Sequence, residues 1–314
     1  MSEEKIVAVF GATGTQGGGL VRAILSDPKK EFKVTAITRN VDSDKGKALA
    51  AQGVEVVSAD LDDQKSIEKA LAGAYGAFFV TSFWEHFSAE KETEQAKNIS
   101  AASKTAGVKH VIWSTLEDVR KFYPLSDDRM PTLQGKYKVS HFDGKGQGDE
   151  FFKDAGVPTT YFYASFYWDN LIYFGMGPSR GEDGKLSITF PMGKGKLSGI
   201  AAEDIGKCAL GVCKRPELIG RQVGIAGGQP TLEEMASTLS SAIGEPVRYN
   251  DISYATYRSF GFPGADDLAN MFQFYQEHED HCVKLRDVKF SKELNPELQD
   301  FKTWVGRNVG KLVK

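Results

Sequence analysis

Residues 6–17, Ile-Val-Ala-Val-Phe-Gly-Ala-Thr-Gly-Thr-Gln-Gly, constrain this chain more than any other stretch. An apolar run passes straight into Gly-x-x-Gly-x-x-Gly, and the helix-forming run Leu20-Val21-Arg22-Ala23-Ile24-Leu25 follows. Strand, tight turn and helix in that order form the context in which a glycine loop holds a dinucleotide diphosphate. The glycines supply the turn, room for backbone to approach the phosphates, and close helix–strand packing. Amides and the positive dipole end of the helix then face the anion. Gly11, Thr13, Gly14, Thr15, Gln16 and Gly17 are the expected contacts.

The second strand signal, Phe-Lys-Val-Thr-Ala-Ile-Thr at 32–38, ends in Arg39-Asn40. In NAD-preferring domains of this type a carboxylate at that point accepts hydrogen bonds from the adenosine ribose. An arginine instead offers a planar fork of donors to a 2′-phosphate and can stack on adenine. The pair of signals predicts NADP(H). Lys45 is a second positive charge nearby, in a loop that also carries Asp42 and Asp44. The alternative is a solvated strand-end charge.

Helical and strand patterns alternate through the first half: helices over 45–52, 64–71 and 88–106, strands over 54–60, 77–81 and 108–114. Repeated βα units require a parallel sheet with right-handed crossovers. Apolar strands without alternation fit a sheet covered on both faces. The expected fold is α/β, a doubly wound Rossmann sheet with a smaller mixed α/β C-terminal domain. The expected division is 1–162, with 200–228 returning to it, against 163–199 and 229–314.

Ligands of such sheets lie beyond the carboxyl ends of the strands. Those ends add Asp60 and Leu61 beside the adenine, and Thr81 and Phe83 toward the ribose and nicotinamide. Phe83 and Trp84 read equally as core or rim aromatics.

Composition excludes several other classes. With 39 Lys+Arg against 42 Asp+Glu the formal net charge is −3, which offers no electrostatic footprint for nucleic acid or an anionic membrane. Three cysteines without a C-x-x-C pair suit a reducing compartment. The acidic Met-Ser-Glu-Glu-Lys start leads directly into the first strand rather than into a signal-peptide pattern, so the expectation is cytoplasmic. His278 and His281, with Glu277, Glu279, Asp280 and Cys282, crowd one charged segment that reads as a solvated helix end rather than a zinc site. No metal is expected.

Several blocks resemble the NmrA-like branch of the atypical short-chain dehydrogenase/reductases. They are the loop Gly-Ala-Thr-Gly-Thr-Gln-Gly-Gly, Thr38-Arg39-Asn40, Gly73-Ala74-Tyr75-Gly76, His141-Phe142-Asp143-Gly144-Lys145-Gly146, and Gly-Phe-Pro-Gly-Ala-Asp-Asp-Leu-Ala-Asn-Met-Phe at 261–272. The resemblance runs from residue 5 to about residue 275 and is strongest to the NADPH-sensor members. It implies a Rossmann domain holding NADP(H) and a smaller domain forming a cleft over the nicotinamide end. It also implies regulation through protein partners or self-association, with little dehydrogenase chemistry. Carried over by motif, it adds Lys145 and the segment Tyr167, Trp168, Asp169 and Asn170 to the cofactor contacts. Relatives commonly have an aromatic followed by Phe-Glu-Asn at that segment, so Trp168 and Asp169 depart from the pattern.

The residues bear on catalysis separately. Short-chain dehydrogenases use a tyrosine acid/base with a lysine four residues on. None of the 11 tyrosines here has lysine at that spacing, and the residue four before Lys145 is His141. A Ser114–His141–Lys145 proton relay is one reading, because histidine titrates near neutrality. The other makes His141 a helix-start residue just before Asp143 caps a helix over 144–152. The missing tyrosine–lysine pair favours an NADP(H)-responsive regulator, whose moving parts would be the loops 117–139 and 42–45; the alternative is an NADPH-dependent reductase of a small carbonyl or enone compound.

The second half is less specific. A strand is expected over 157–162, and a hairpin turn at 181–185 before a strand at 186–190. A capping box joins Thr231 and Glu234. An amphipathic helix over 268–277 presents Leu268, Met271, Phe272 and Tyr275 as a core stripe. The aromatics of 165–174 serve as pocket wall, packing seam, or both.

Overall fold

The computed structural model describes residues 5–312. Contacts divide the chain into two compact units: Met1–Asp118 with His141–Tyr163 and Ile205–Val223, and Val119–Ser140 with Ala164–Asp204 and Gly224–Lys314.

The first unit opens with β1 (Lys5–Phe10), α1 (Thr15–Ser26), β2 (Phe32–Thr38), α2 (Asp44–Ala51) and β3 (Glu55–Ser58). It continues with α3 (Gln64–Ala70), β4 (Gly76–Phe79), α4 (Ala89–Ala106), β5 (His110–Thr115), α5 (Ser140–Ala155) and β6 (Thr159–Tyr163). A seven-stranded sheet has the order Gln222–Gly224, β6, β5, β4, β1, β2, β3. Every pairing among β1 to β6 is parallel, as the alternating pattern predicts. The chain order reverses between β1 and β4, and that switch point is where sheets of this type open a crevice for ligands. The strands are apolar on both faces: Ala8, Val9, Phe78, Phe79 and Trp113 are fully buried. Helices cover both sides of such a sheet.

Three glycine contacts set how closely the layers approach. Gly206, in the helix Ala202–Cys213, leaves no room for a side chain, since a Cβ there would lie 2.3 Å from the Leu20 amide nitrogen of α1. Gly144 and Gly148, one turn apart on α5, face Ala89 and Ala96 of α4; a Cβ at Gly148 would stand 2.8 Å from that of Ala96. Gly144 and Gly148 therefore bring α5 and α4 almost backbone to backbone.

The second unit holds a three-stranded sheet of Ser179–Arg180, Leu186–Phe190 and Val247–Asp251, and a two-stranded pairing of Phe166–Tyr167 with Gly199–Ile200. The expected hairpin turn is present, with the Gly181 amide donating to Lys185 O at 3.0 Å. So is the capping box of Thr231 and Glu234. In the helix Ala265–Glu277 the stripe Leu268, Met271, Phe272 and Tyr275 is buried. Polar residues of that helix fasten the 119–140 segment: Asn270 donates to Pro131 O and Lys138 O, and Gln273 donates to Arg129 O. Among the described residues no helix is long and apolar enough to cross a membrane.

Candidate functional site

The turn from β1 into α1 is built as the glycine pattern requires. Gly11 has φ +68°, a left-handed conformation that glycine adopts without steric cost. The Gly14 amide closes the turn on Gly11 O at 2.9 Å. Gly14 is the cap residue of α1 and brings no side-chain oxygen to the first-turn amides, and no acid stands in that turn. First-turn amides have no carbonyl partner within their own helix. This helix end is therefore electropositive and open to an anion. A Cβ on Gly17 would fall 2.4 Å from Gly11 O, so helix and turn touch through backbone alone.

Neighbouring strand ends converge on this turn. The Ser114 hydroxyl, near the end of β5, donates to Oε1 of Gln16 at 2.8 Å. Lys45 Nζ reaches the carbonyl of Thr13 at 3.4 Å. Arg39 follows β2 directly, and its Nη2 lies 2.8 Å from Oε2 of Glu85. Asp60 is exposed and closes its own turn, accepting from the Asp62 amide, while Leu61 O accepts from Asn98 of α4.

Beyond β4 the polar groups are buried and paired. Thr81 donates its hydroxyl to Oε1 of Glu92 at 2.6 Å. Lys145 Nζ donates to the same Glu92 oxygen at 2.7 Å, to Thr81 O at 3.0 Å and to the Thr81 hydroxyl. Glu92 is 1% exposed, and its other oxygen, Oε2, is buried without a hydrogen-bond partner. Phe83 is buried in a ring cluster with Trp84, Phe87 and His141, and Trp84 stands 5.0 Å from the imidazole. Trp84 itself is 42% exposed, which makes it a rim aromatic.

One helical turn past Lys145, Asp149 is also buried. Trp113 Nε1 and the Thr115 hydroxyl donate to its Oδ1 at 3.0 and 2.6 Å, and the Tyr163 hydroxyl donates to Oδ2 at 3.1 Å. Burial raises this carboxyl to about 7, against the pull of its three donors.

One expectation is corrected: α5 starts at Ser140, so Asp143 lies inside its first turn rather than capping it, and His141 is already helical. The backbone amide of Ser140 donates to the Asp267 carboxylate. The Ser114 hydroxyl is given to Gln16, and the Lys145 ammonium to Thr81 and Glu92. Trp168 is fully buried, with ring contacts to Phe301 and Trp304. Its neighbour Asp169 accepts the Ala202 amide at 2.8 Å, and so anchors the start of the helix Ala202–Cys213. Tyr167 is half-buried, and Asn170 opens the short helix Asn170–Tyr173.

Glu92, Glu85 and Asp149 were not singled out from the sequence. Asp149 had a signal, since it follows Lys145 by four residues on one helix face. The two glutamates had none, as acids are common at the start of a helix.

Comparison with known proteins agrees with this architecture. Residues 3–305 match the model of the NmrA-like family. An NmrA-like family domain-containing oxidoreductase of Aspergillus flavus is 29% identical over 293 residues, covering 87% of this chain and 84% of its own. An NAD(P)H azoreductase of Xenophilus azovorans is 29% identical over 246 residues, covering 78% of this chain and 76% of its own. The crystal structure of NmrA, a negative transcriptional regulator, in complex with NADP superposes with a TM-score of 0.78 at 20% identity. It covers 97% of this chain and 95% of that one, a likeness of fold. On the match of nearly its whole length, this chain belongs to the NmrA-like family.

Proposed function

We propose that this chain binds NADP(H) at the carboxyl ends of β1 and β2 and uses it as an NADPH-dependent oxidoreductase. One observation carries the cofactor reading: an uncapped helix start behind a Cβ-intolerant glycine turn, with a guanidinium at the end of the adjacent strand. Those groups match a diphosphate and a 2′-phosphate in charge and in donor geometry. The diphosphate would rest on the first-turn amides of Thr15, Gln16 and Gly17, and the 2′-phosphate would take Arg39 from Glu85. The NADP complex of a relative with the same fold supports the assignment.

Bound NADPH supplies hydride. The residues of this chain limit what can receive it. The position four residues before Lys145 is His141, so the usual phenol donor to a carbonyl oxygen is missing from that place. Ser114, at 2% exposure, and Lys145 are already hydrogen-bonded within the protein. Acceptors electrophilic enough to take hydride without a strong resident acid, such as enones or azo groups, suit this site better than simple ketones. Its relatives named as oxidoreductases and as an azoreductase support the class. Steady-state NADPH oxidation against a panel of enones, azo compounds and ketones tests it. Turnover confined to the activated acceptors is the expected result, and no turnover with any acceptor overturns it.

The engagement of Lys145 favours a second reading, an NADP(H)-responsive regulator acting through a protein partner or its own copies. In that case the nucleotide acts only through its differential affinity for two states. Tight NADPH binding with no acceptor reduced is its signature.

A further inference from the structure

The partner of Arg39 has its own consequence for cofactor choice. Glu85 closes the 3-10 turn Phe83–Glu85 that follows β4, whereas Arg39 follows β2. Strands β4 and β2 lie on either side of β1 in the sheet. The 2.8 Å ion pair therefore joins the loops that flank the glycine turn, and it leaves a carboxylate beside the group that would receive the adenosine ribose. Both side chains are half-exposed or more, at 67% and 50%, so the pair is open to a competing ligand. On α4, Lys91 is engaged by Asp62 at 2.8 Å.

Two ribose chemistries meet this pair differently. A 2′-phosphate is drawn to the guanidinium but repelled by the carboxylate, so it must displace Glu85 to bind. A 2′-hydroxyl has no need of the guanidinium, and a carboxylate held beside Arg39 can accept its hydrogen bond, as the acid at the end of the second strand does in NAD-preferring domains. An exposed ion pair contributes only about 0.2–1 kcal/mol, which a phosphate bound by several donors readily exceeds.

We propose that Glu85 is a specificity-determining residue that competes with the 2′-phosphate for Arg39, accepts the 2′-hydroxyl of NADH, and so narrows the preference of the site for NADPH. The proposal rests on the nucleotide reading above. It makes the chain a binder of both nicotinamide cofactors whose balance is set by one carboxylate.

Calorimetric titration of the full chain with NADPH and with NADH, in wild type and in Glu85→Gln, tests it. The variant should bind NADPH about two- to fivefold more tightly and NADH no more tightly than wild type, the factor expected for releasing an exposed pair. Glu85→Ala, which removes the acceptor as well as the charge, should move the ratio the same way and weaken NADH further. Affinities for both cofactors that stay unchanged, or that change in equal proportion, would overturn the role of Glu85 and leave the nucleotide reading intact. A wild-type chain that binds neither cofactor would overturn both.

Discussion

The Lys145 ammonium lies 2.7 Å from the Glu92 carboxylate, with the two side chains 9% and 0% exposed. A buried pair of this kind is held in place by how closely its helices approach. Gly144 and Gly148 let α5 settle against α4, and the Thr81 hydroxyl and carbonyl complete the shell around the ammonium. Removing one partner strands a charge away from water. Glu92→Ala is therefore expected to destabilise the fold by about 3–5 kcal/mol, whereas Glu92→Leu combined with Lys145→Met should recover much of that loss. Urea unfolding of the single and double variants is the check, and additive losses would argue against the coupling.

The glycine turn makes a second, sharper prediction. Gly17→Ala would drive a Cβ to 2.4 Å from Gly11 O, a backbone contact that no rotamer change relieves. The turn must open, carrying the first-turn amides of α1 with it. Both thermal stability and nucleotide affinity should fall, with affinity lost even at temperatures where the variant remains folded by circular dichroism. Wild-type affinity in a folded Gly17→Ala chain would show that this turn is not the phosphate cradle.

Asp149 predicts a pH dependence of stability. Its carboxyl titrates near 7 in the folded chain against an ordinary 3.8, because burial disfavours the charged form. Between those values the folded state holds a proton that the unfolded state has released. Stability should therefore fall as pH rises through the window from about 4 to 7, then level off. Between pH 5 and pH 8 the wild type should lose about 2–3 kcal/mol more than Asp149→Asn, which cannot titrate there. Parallel denaturation curves for the two proteins at both pH values would contradict the assignment.

These features were legible from the sequence to unequal degrees. The turn at 11–17, the parallel pairing of the strands and the Thr231–Glu234 cap could be read because each depends on neighbours within a few residues or on a repeating period. Glu92 could not be read so. It is one of three acids at 90, 92 and 94, and the one that turns inward is decided by the docking of α4 on α5. Trp168 sits in an aromatic run whose individual faces are set by packing, and its indole went to Phe301 and Trp304 from the far end of the chain. The start of α5 is ambiguous in the sequence because an acid stabilises helix amides both as a cap and within the first turn, so Asp143 fits either position.

The central claim is an electrostatic match between Arg39 and a 2′-phosphate, and the most direct measurement is calorimetric titration of wild type and Arg39→Ala with NADPH and NADH. The loss of charge-assisted hydrogen bonds to a phosphate is worth about 1.5–3 kcal/mol, so Arg39→Ala should weaken NADPH by roughly 10- to 100-fold. NADH should change little. Equal losses for the two cofactors, or no loss for either, would contradict the account.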